Sequence, residues 1–158
     1  MEKIYVICIE DQREVLNAIL QDLEPLEPTF VLEGCESASE AEDLMDEIDS
    51  RGDFAGLLVC DHVMPEKSGI DFLIEVNRDK RFSKTRKLLL TGLATHQDTI
   101  NAINNADIDR YIEKPWDAEK LILQARRLLT HFIVDMGIPY EKYLAHLDTP
   151  TLLKRIRP

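Results

Sequence analysis

Four short segments of this 158-residue chain place reactive side chains at or just after apolar, β-branched runs. Glu10 and Asp11 follow Ile4-Tyr5-Val6-Ile7-Cys8-Ile9, and Asp61 follows Leu57-Leu58-Val59-Cys60. Thr91 and Gly92 close the run that begins Lys87-Leu88-Leu89-Leu90. Lys114-Pro115 comes just after Arg110-Tyr111-Ile112. Brought together, three carboxylates, a hydroxyl and a lysine make one kind of chemistry. Crowded carboxylates repel and favour a divalent cation. Mg²⁺ takes oxygen ligands and keeps several waters, so two carboxylates and a backbone carbonyl suffice to hold it. The lysine neutralises phosphoryl charge and the hydroxyl donates to it. Phosphoryl transfer needs mostly such positioning and electrostatic stabilisation.

The elements between these segments explain how they meet. The apolar runs read as buried strands, because a strand covered on both faces shows little alternation. Val15, Leu16, Ile19, Leu20 and Leu23 recur at helical spacing, and Pro25 and Pro28 end that helix. Phe30-Val31-Leu32 reads as the second strand, closed by Gly34. Ser37-Ala38-Ser39-Glu40 is a capping-box pattern that opens a helix bearing Ala41, Leu44, Met45 and Ile48. A loop with Pro65 and Gly69 precedes a helix carrying Ile70, Leu73, Ile74 and Val76. Thr95 to Ala106, with Ile100 and Ile103, reads as the fourth helix, and Asp117 to about Phe132 as the fifth, capped by Asp117. Five strand–helix repeats imply a doubly wound α/β fold with a parallel sheet covered on both faces. The expected order is the flavodoxin-like 2-1-3-4-5. In such a sheet, function gathers at the carboxyl ends of the strands, where every reactive residue above falls.

Composition narrows the partners. The formal net charge is −11, with 44% hydrophobic and 31% charged residues. That is ordinary globular composition, and its acidity argues against direct nucleic-acid binding, which needs a basic stripe. The acids from Glu36 to Asp53 read as a solvated helix face. Cys8, Cys35 and Cys60 are widely spaced and lack a C-x-x-C, so neither a disulfide framework nor a zinc site is implied, and a reducing cytoplasm is expected. No apolar stretch approaches the ~20 residues that span a membrane.

The set Glu10-Asp11, Asp61-His62-Val63-Met64-Pro65 with Gly69, Thr91-Gly92 and Tyr111-Ile112-Glu113-Lys114-Pro115 resembles the signature of bacterial response-regulator receiver domains, the CheY-like family of two-component signalling. The resemblance covers about residues 3–132 in order and spacing. It implies that Asp61 is the phospho-acceptor. It implies a Mg²⁺ ion, with Mn²⁺ as an alternative, held by Asp11, Asp61 and the Val63 backbone carbonyl, with Glu10 acting through water. Lys114, Thr91 and the Gly92 amide would contact the phosphoryl group. Tyr111 would change rotamer, linking the site to the face of the fourth helix, fifth strand and fifth helix. A sensor histidine kinase or histidine phosphotransfer protein would be the donor. The output would be altered contact with a downstream protein or fused output domain, not catalysis.

The chain departs from the pattern in places. Glu10 stands where Asp is more frequent. Val63 and Leu93 offer no group to activate water, so slow self-dephosphorylation is expected. Asn104-Asn105-Ala106-Asp107 lacks the glycine often found before the fifth strand. Simpler readings exist for each residue: Asp61 as a helix cap, Thr91 as an N-cap, Tyr111 as packing, and Trp116 as packing against the last helix. His62, His96, His131 and His146 share no ligand spacing and read as surface residues. Two rival functions remain. A phosphohydrolase of the haloacid-dehalogenase type would place an acid two residues after the nucleophile, where Val63 stands. A receiver-like interaction module that works without phosphorylation would not need the acids, Thr91 and Lys114 together.

Residues 133–158 read as a helical extension to a receiver domain of residues 1–132. Gly137 and Pro139 break the long helix. Tyr140, Tyr143, Leu144 and Leu147, then Leu152, Leu153 and Ile156 after Thr149-Pro150, form amphipathic turns. This segment is expected to dock on the receiver, to dimerise, or to begin a truncated output region. A homodimer would use it or the face of the fourth helix, fifth strand and fifth helix.

Overall fold

A computed structural model of the chain describes residues 2–92 and 96–157. Leu93 and Thr95, and the side chains of His96 and Ile103, lie outside the described residues. In chain order the elements are β1 (Ile4–Ile9), α1 (Arg13–Leu23), β2 (Val31–Cys35), α2 (Ala38–Ser50), β3 (Phe54–Asp61), α3 (Gly69–Arg78), β4 (Arg86–Thr91), α4 (His96–Ala106), β5 (Arg110–Glu113), α5 (Ala118–Met136) and α6 (Thr149–Ile156). Short 3₁₀ turns follow α1, α3 and α5. The five strands are all parallel, in the order β2-β1-β3-β4-β5. This is the CheY-like flavodoxin fold expected from the sequence.

Strand alternation divides the interior into two layers. Val6 and Cys8 of β1 join Leu57, Val59, Leu88 and Leu90 on the side covered by α1 and α5. Tyr5, Ile7 and Ile9 join Leu58, Cys60 and Leu89 on the side covered by α2 and α3. Every residue of β1 is buried, as a doubly covered strand requires. Cys8, Cys35 and Cys60 are buried free thiols, and burial pushes each of them up, Cys35 to about 12.

Several boundaries differ from the sequence reading. β2 runs through Gly34 to Cys35, while Phe30 precedes the strand and is buried. Glycine fits there because a side chain at position 34 would press on Leu20 at 3.0 Å and Leu16 at 3.2 Å. In the capping box, Ser37 Oγ accepts from the Glu40 amide at 3.1 Å, but the Glu40 carboxylate reaches the amide of Glu36. Asp107 takes the left-handed conformation (φ 54°) in the turn that lacks glycine. Aspartate tolerates that region better than most residues.

The fifth helix continues past Phe132 to Met136, where Gly137 caps it at φ 68°. The chain then folds back. Tyr143 stacks on Phe30 with ring centroids 5.4 Å apart. Tyr143, Leu147 and Leu152 are buried in the same apolar layer as α1 and α5. Asp148 caps α6 through the Thr151 amide, and its own amide donates to the buried Thr130 hydroxyl of α5.

Candidate functional site

Asp61 is the last residue of β3, and Glu10 is the residue after β1. Because β1 and β3 are neighbours, Ile9 pairs with Cys60, and the following acids emerge side by side. Glu10, Asp11 and Asp61 each offer a carboxylate oxygen within 4.8 Å of the others. Lys114, next after β5, reaches back across the strand ends. Its Nζ lies 2.9 Å from Asp61 Oδ1 and 2.7 Å from Glu10 Oε1. Its amide donates to the Thr91 carbonyl at 3.1 Å, tying the ends of β4 and β5 together. Thr91 is buried at the end of β4.

The charges are unbalanced. Glu10 is 1% exposed and Asp61 5% exposed. Burial pushes Glu10 up, and neighbouring Asp61 adds to this, while hydrogen bonds from Lys114 and the Gln12 amide oppose it. Burial works against the Lys114 ammonium, but its bonds to Glu10 and Asp61 outweigh that and raise its pKa. One ammonium facing three carboxylates leaves room for a further cation. The donor set is all oxygen and partly buried, which suits a hard ion such as Mg²⁺.

The loop after β3 is shaped by Gly69. Its amide donates to the His62 carbonyl at 2.8 Å. A Cβ at position 69 would lie 1.8 Å from the Asp61 carbonyl oxygen, so no other residue fits without moving the loop. Ser68 caps α3 by accepting from the Asp71 amide. Val63 lies on this loop and is 54% exposed, while the next residue, Met64, is buried. Gly92 is exposed beside Lys114. Tyr111 is half-buried on β5 against the layer of α2 and α3, one strand away from Thr91. Its hydroxyl pKa is raised by burial and by Glu113.

Two features went unread in the sequence. Trp116 packs into the layer of α1 and α5, in line with the packing role read for it, but its indole also donates to Asp22 of α1 at 2.6 Å, a bond that was not expected. Nothing in the sequence links positions 22 and 116. The described histidines lie only partly at the surface: His62, His131 and His146 are half-buried, and the Nδ1 atoms of His62 and His146 are enclosed by protein.

Comparison with known proteins agrees with the geometry. The profile described as response regulator receiver domain matches residues 6–126. The chain therefore belongs to the response-regulator receiver family of two-component systems, a family of signalling domains. The hydrogenase transcriptional regulatory protein HoxA of Bradyrhizobium diazoefficiens is 30% identical over 120 residues, covering 74% of this chain but 22% of that protein. The chain thus spans only a minor part of that regulator's length. The signal receiver domain of an HD domain-containing protein from Pseudomonas fluorescens Pf-5 superposes with a TM-score of 0.72 at 26% identity, covering 83% of this chain and 98% of that one. A CheY-like receiver domain protein from Methanospirillum hungatei JF-1 shares the fold with the same TM-score at 21% identity, over 85% of this chain and 99% of that one. Among the described residues, no helix is long and apolar enough to cross a membrane.

Proposed function

We propose that this receiver accepts a phosphoryl group on Asp61 from a histidine kinase or phosphotransfer protein in the cytoplasm. The observation that carries this reading is Lys114, which bridges Asp61 and Glu10 in the cleft that also holds Asp11. The Asp61 carboxylate oxygen attacks phosphorus. A P–O bond forms to Asp61 as the P–N bond to the donor imidazole breaks, and the imidazole keeps the electron pair. Asp11, Asp61 and the Val63 carbonyl would hold Mg²⁺ or Mn²⁺, with Glu10 acting through water, and the ion would offset charge on the phosphoryl oxygens. Lys114 offsets more of that charge, and Thr91 and the Gly92 amide donate to the same group. Tyr111 would change rotamer as Thr91 moves.

The exposed side chain of Val63 has no group to activate water, which supports slow hydrolysis of the acyl phosphate. The chain would then be a switch and not an enzyme. Its output would be altered contact at the face of α4, β5 and α5, with a downstream protein or a fused output domain. That face, or the tail, would also serve a homodimer. The buried Tyr143, Leu147 and Leu152 support residues 133–158 as an extension docked on the receiver of residues 1–132. Incubation with acetyl phosphate and Mg²⁺ tests the reading by intact mass. One phosphoryl adduct is expected, lost with chelator. Turnover of phosphate esters without an adduct would instead favour a phosphohydrolase.

A further inference from the structure

Lys114 holds two acids at once from the end of a short strand. It follows β5, a four-residue edge strand that pairs only with β4. Beyond it the backbone leaves the sheet at Pro115, and α5 begins after Asp117. Between these points Trp116 is half-buried against the core, and its Nε1–H donates to Asp22 Oδ2 at 2.6 Å. Asp22 lies in the last turn of α1, which packs on β1, β2 and α5 through Leu16, Ile19 and Leu23. A hydrogen bond to a carboxylate is among the stronger neutral-donor bonds, and partial burial strengthens it. It joins residues 94 positions apart, two residues from the lysine ammonium that meets the phosphoryl group.

We propose that Asp22 and Trp116 are positioning residues for phosphoryl transfer, pinning the β5–α5 turn so that Lys114 Nζ stays between Asp61 and Glu10. The inference rests on the phospho-acceptor reading above. Without the bond, the turn keeps the Lys114 amide contact to Thr91, the cap at Asp117 and the packing of the Trp116 ring, but loses its one described hydrogen bond to α1. The ammonium then spends less time where charge develops on the transferring group. A displacement of about 1 Å at such a group slows reactions by up to about 100-fold. The carboxylates on β1 and β3 keep their backbone positions without this turn, and a displaced ammonium competes less for Glu10 and Asp61, so metal binding should persist and should not weaken.

The test uses the full chain with acetyl phosphate and Mg²⁺, reading the adduct by intact mass over time. Trp116→Phe keeps the ring and removes the donor. Asp22→Leu removes the acceptor, and Asp22→Asn keeps one. We expect Trp116→Phe and Asp22→Leu each to slow phosphorylation about tenfold, with the double variant no slower than either. Asp22→Asn should recover most of the rate. Mg²⁺ affinity, read from the thermal shift, should be equal to or tighter than that of wild type in all of them. Equal rates in every variant, or additive losses with weakened Mg²⁺ binding, would overturn the inference while leaving Asp61 as acceptor. No adduct on wild type would overturn the phospho-acceptor reading, and this inference with it.

Discussion

The two ends of the sheet each carry a cluster of charged side chains, and the clusters obey different rules. At the carboxyl ends, Glu10 and Asp61 bond the Lys114 ammonium with Asp11 beside them, three carboxylates to one cation among the described residues of the cluster. At the other end, Arg86 opens β4 and bonds both Asp109, at 3.0 Å, and Asp135 of α5. Arg155 of α6 bonds the other oxygen of Asp135 and meets His131 Nδ1 at 2.8 Å. There two guanidiniums answer two carboxylates. Burial works against the charge on Asp135, but Arg155 and Arg86 hold its pKa below the ordinary carboxylate range. A cluster that fastens elements together neutralises itself. The surplus of negative charge at the carboxyl ends supports the proposed role of that cluster in receiving an ion and an anionic group.

The comparison breaks most visibly through the tail. Ending the chain after Gly137 removes Arg155 and the buried Tyr143, Leu147 and Leu152. Burial of such side chains stabilises by about 1.5–3 kcal/mol each, so unfolding in urea should show a loss of several kcal/mol. An unchanged midpoint would mean that the tail is not part of the folded unit.

Single substitutions at the two ends should have opposite signs. Asp135→Ala leaves two partly buried guanidiniums short of a partner and should cost about 2 kcal/mol in the same assay. Asp11→Asn relieves repulsion among the three acids and should raise stability without metal by about 1 kcal/mol. It should also erase the stabilisation that Mg²⁺ gives the wild type. Destabilisation by Asp11→Asn would show that the carboxyl-end cluster is structural after all.

The smallest effect concerns pH. Burial, with Arg86 and Arg155, pushes His131 down, against Asp135 and Asp109. The folded chain therefore binds this proton less readily than the unfolded chain. Stability from neutral His131 is full above the ordinary imidazole value of about 6.5 and declines as pH falls through and below it. Thermal midpoints measured between about pH 7 and pH 5.5 should fall less steeply in His131→Gln than in wild type. Parallel slopes would remove His131 from the cluster's account.

The carboxyl-end cluster was legible in the sequence because each member sits at the end of an apolar run, and parallel topology gathers such ends. Strand order and the chemical types of Glu10, Asp11, Asp61, Thr91 and Lys114 followed from one pattern. The opposite cluster was not legible. Arg86, Asp109, Asp135 and Arg155 are common surface types; the packing of α5 on the sheet joins the first three, and the return of the tail across α5 adds Arg155. That return depends on Tyr143 meeting Phe30, a contact between distant residues that no local period announces. The Trp116–Asp22 bond was hidden for the same reason. Gly34 misled because glycine reads as a strand end, whereas here it admits Leu16 and Leu20 of α1.

The most direct test of the central claim is to locate the modified residue. The chain is phosphorylated with acetyl phosphate and Mg²⁺, then reduced with borohydride, which converts an aspartyl phosphate to homoserine, and its peptides are mapped by mass. The account predicts homoserine at position 61 and no other, and none without Mg²⁺. Homoserine at Asp11 or another acid, or a phosphorylated chain with Asp61 intact, would contradict it.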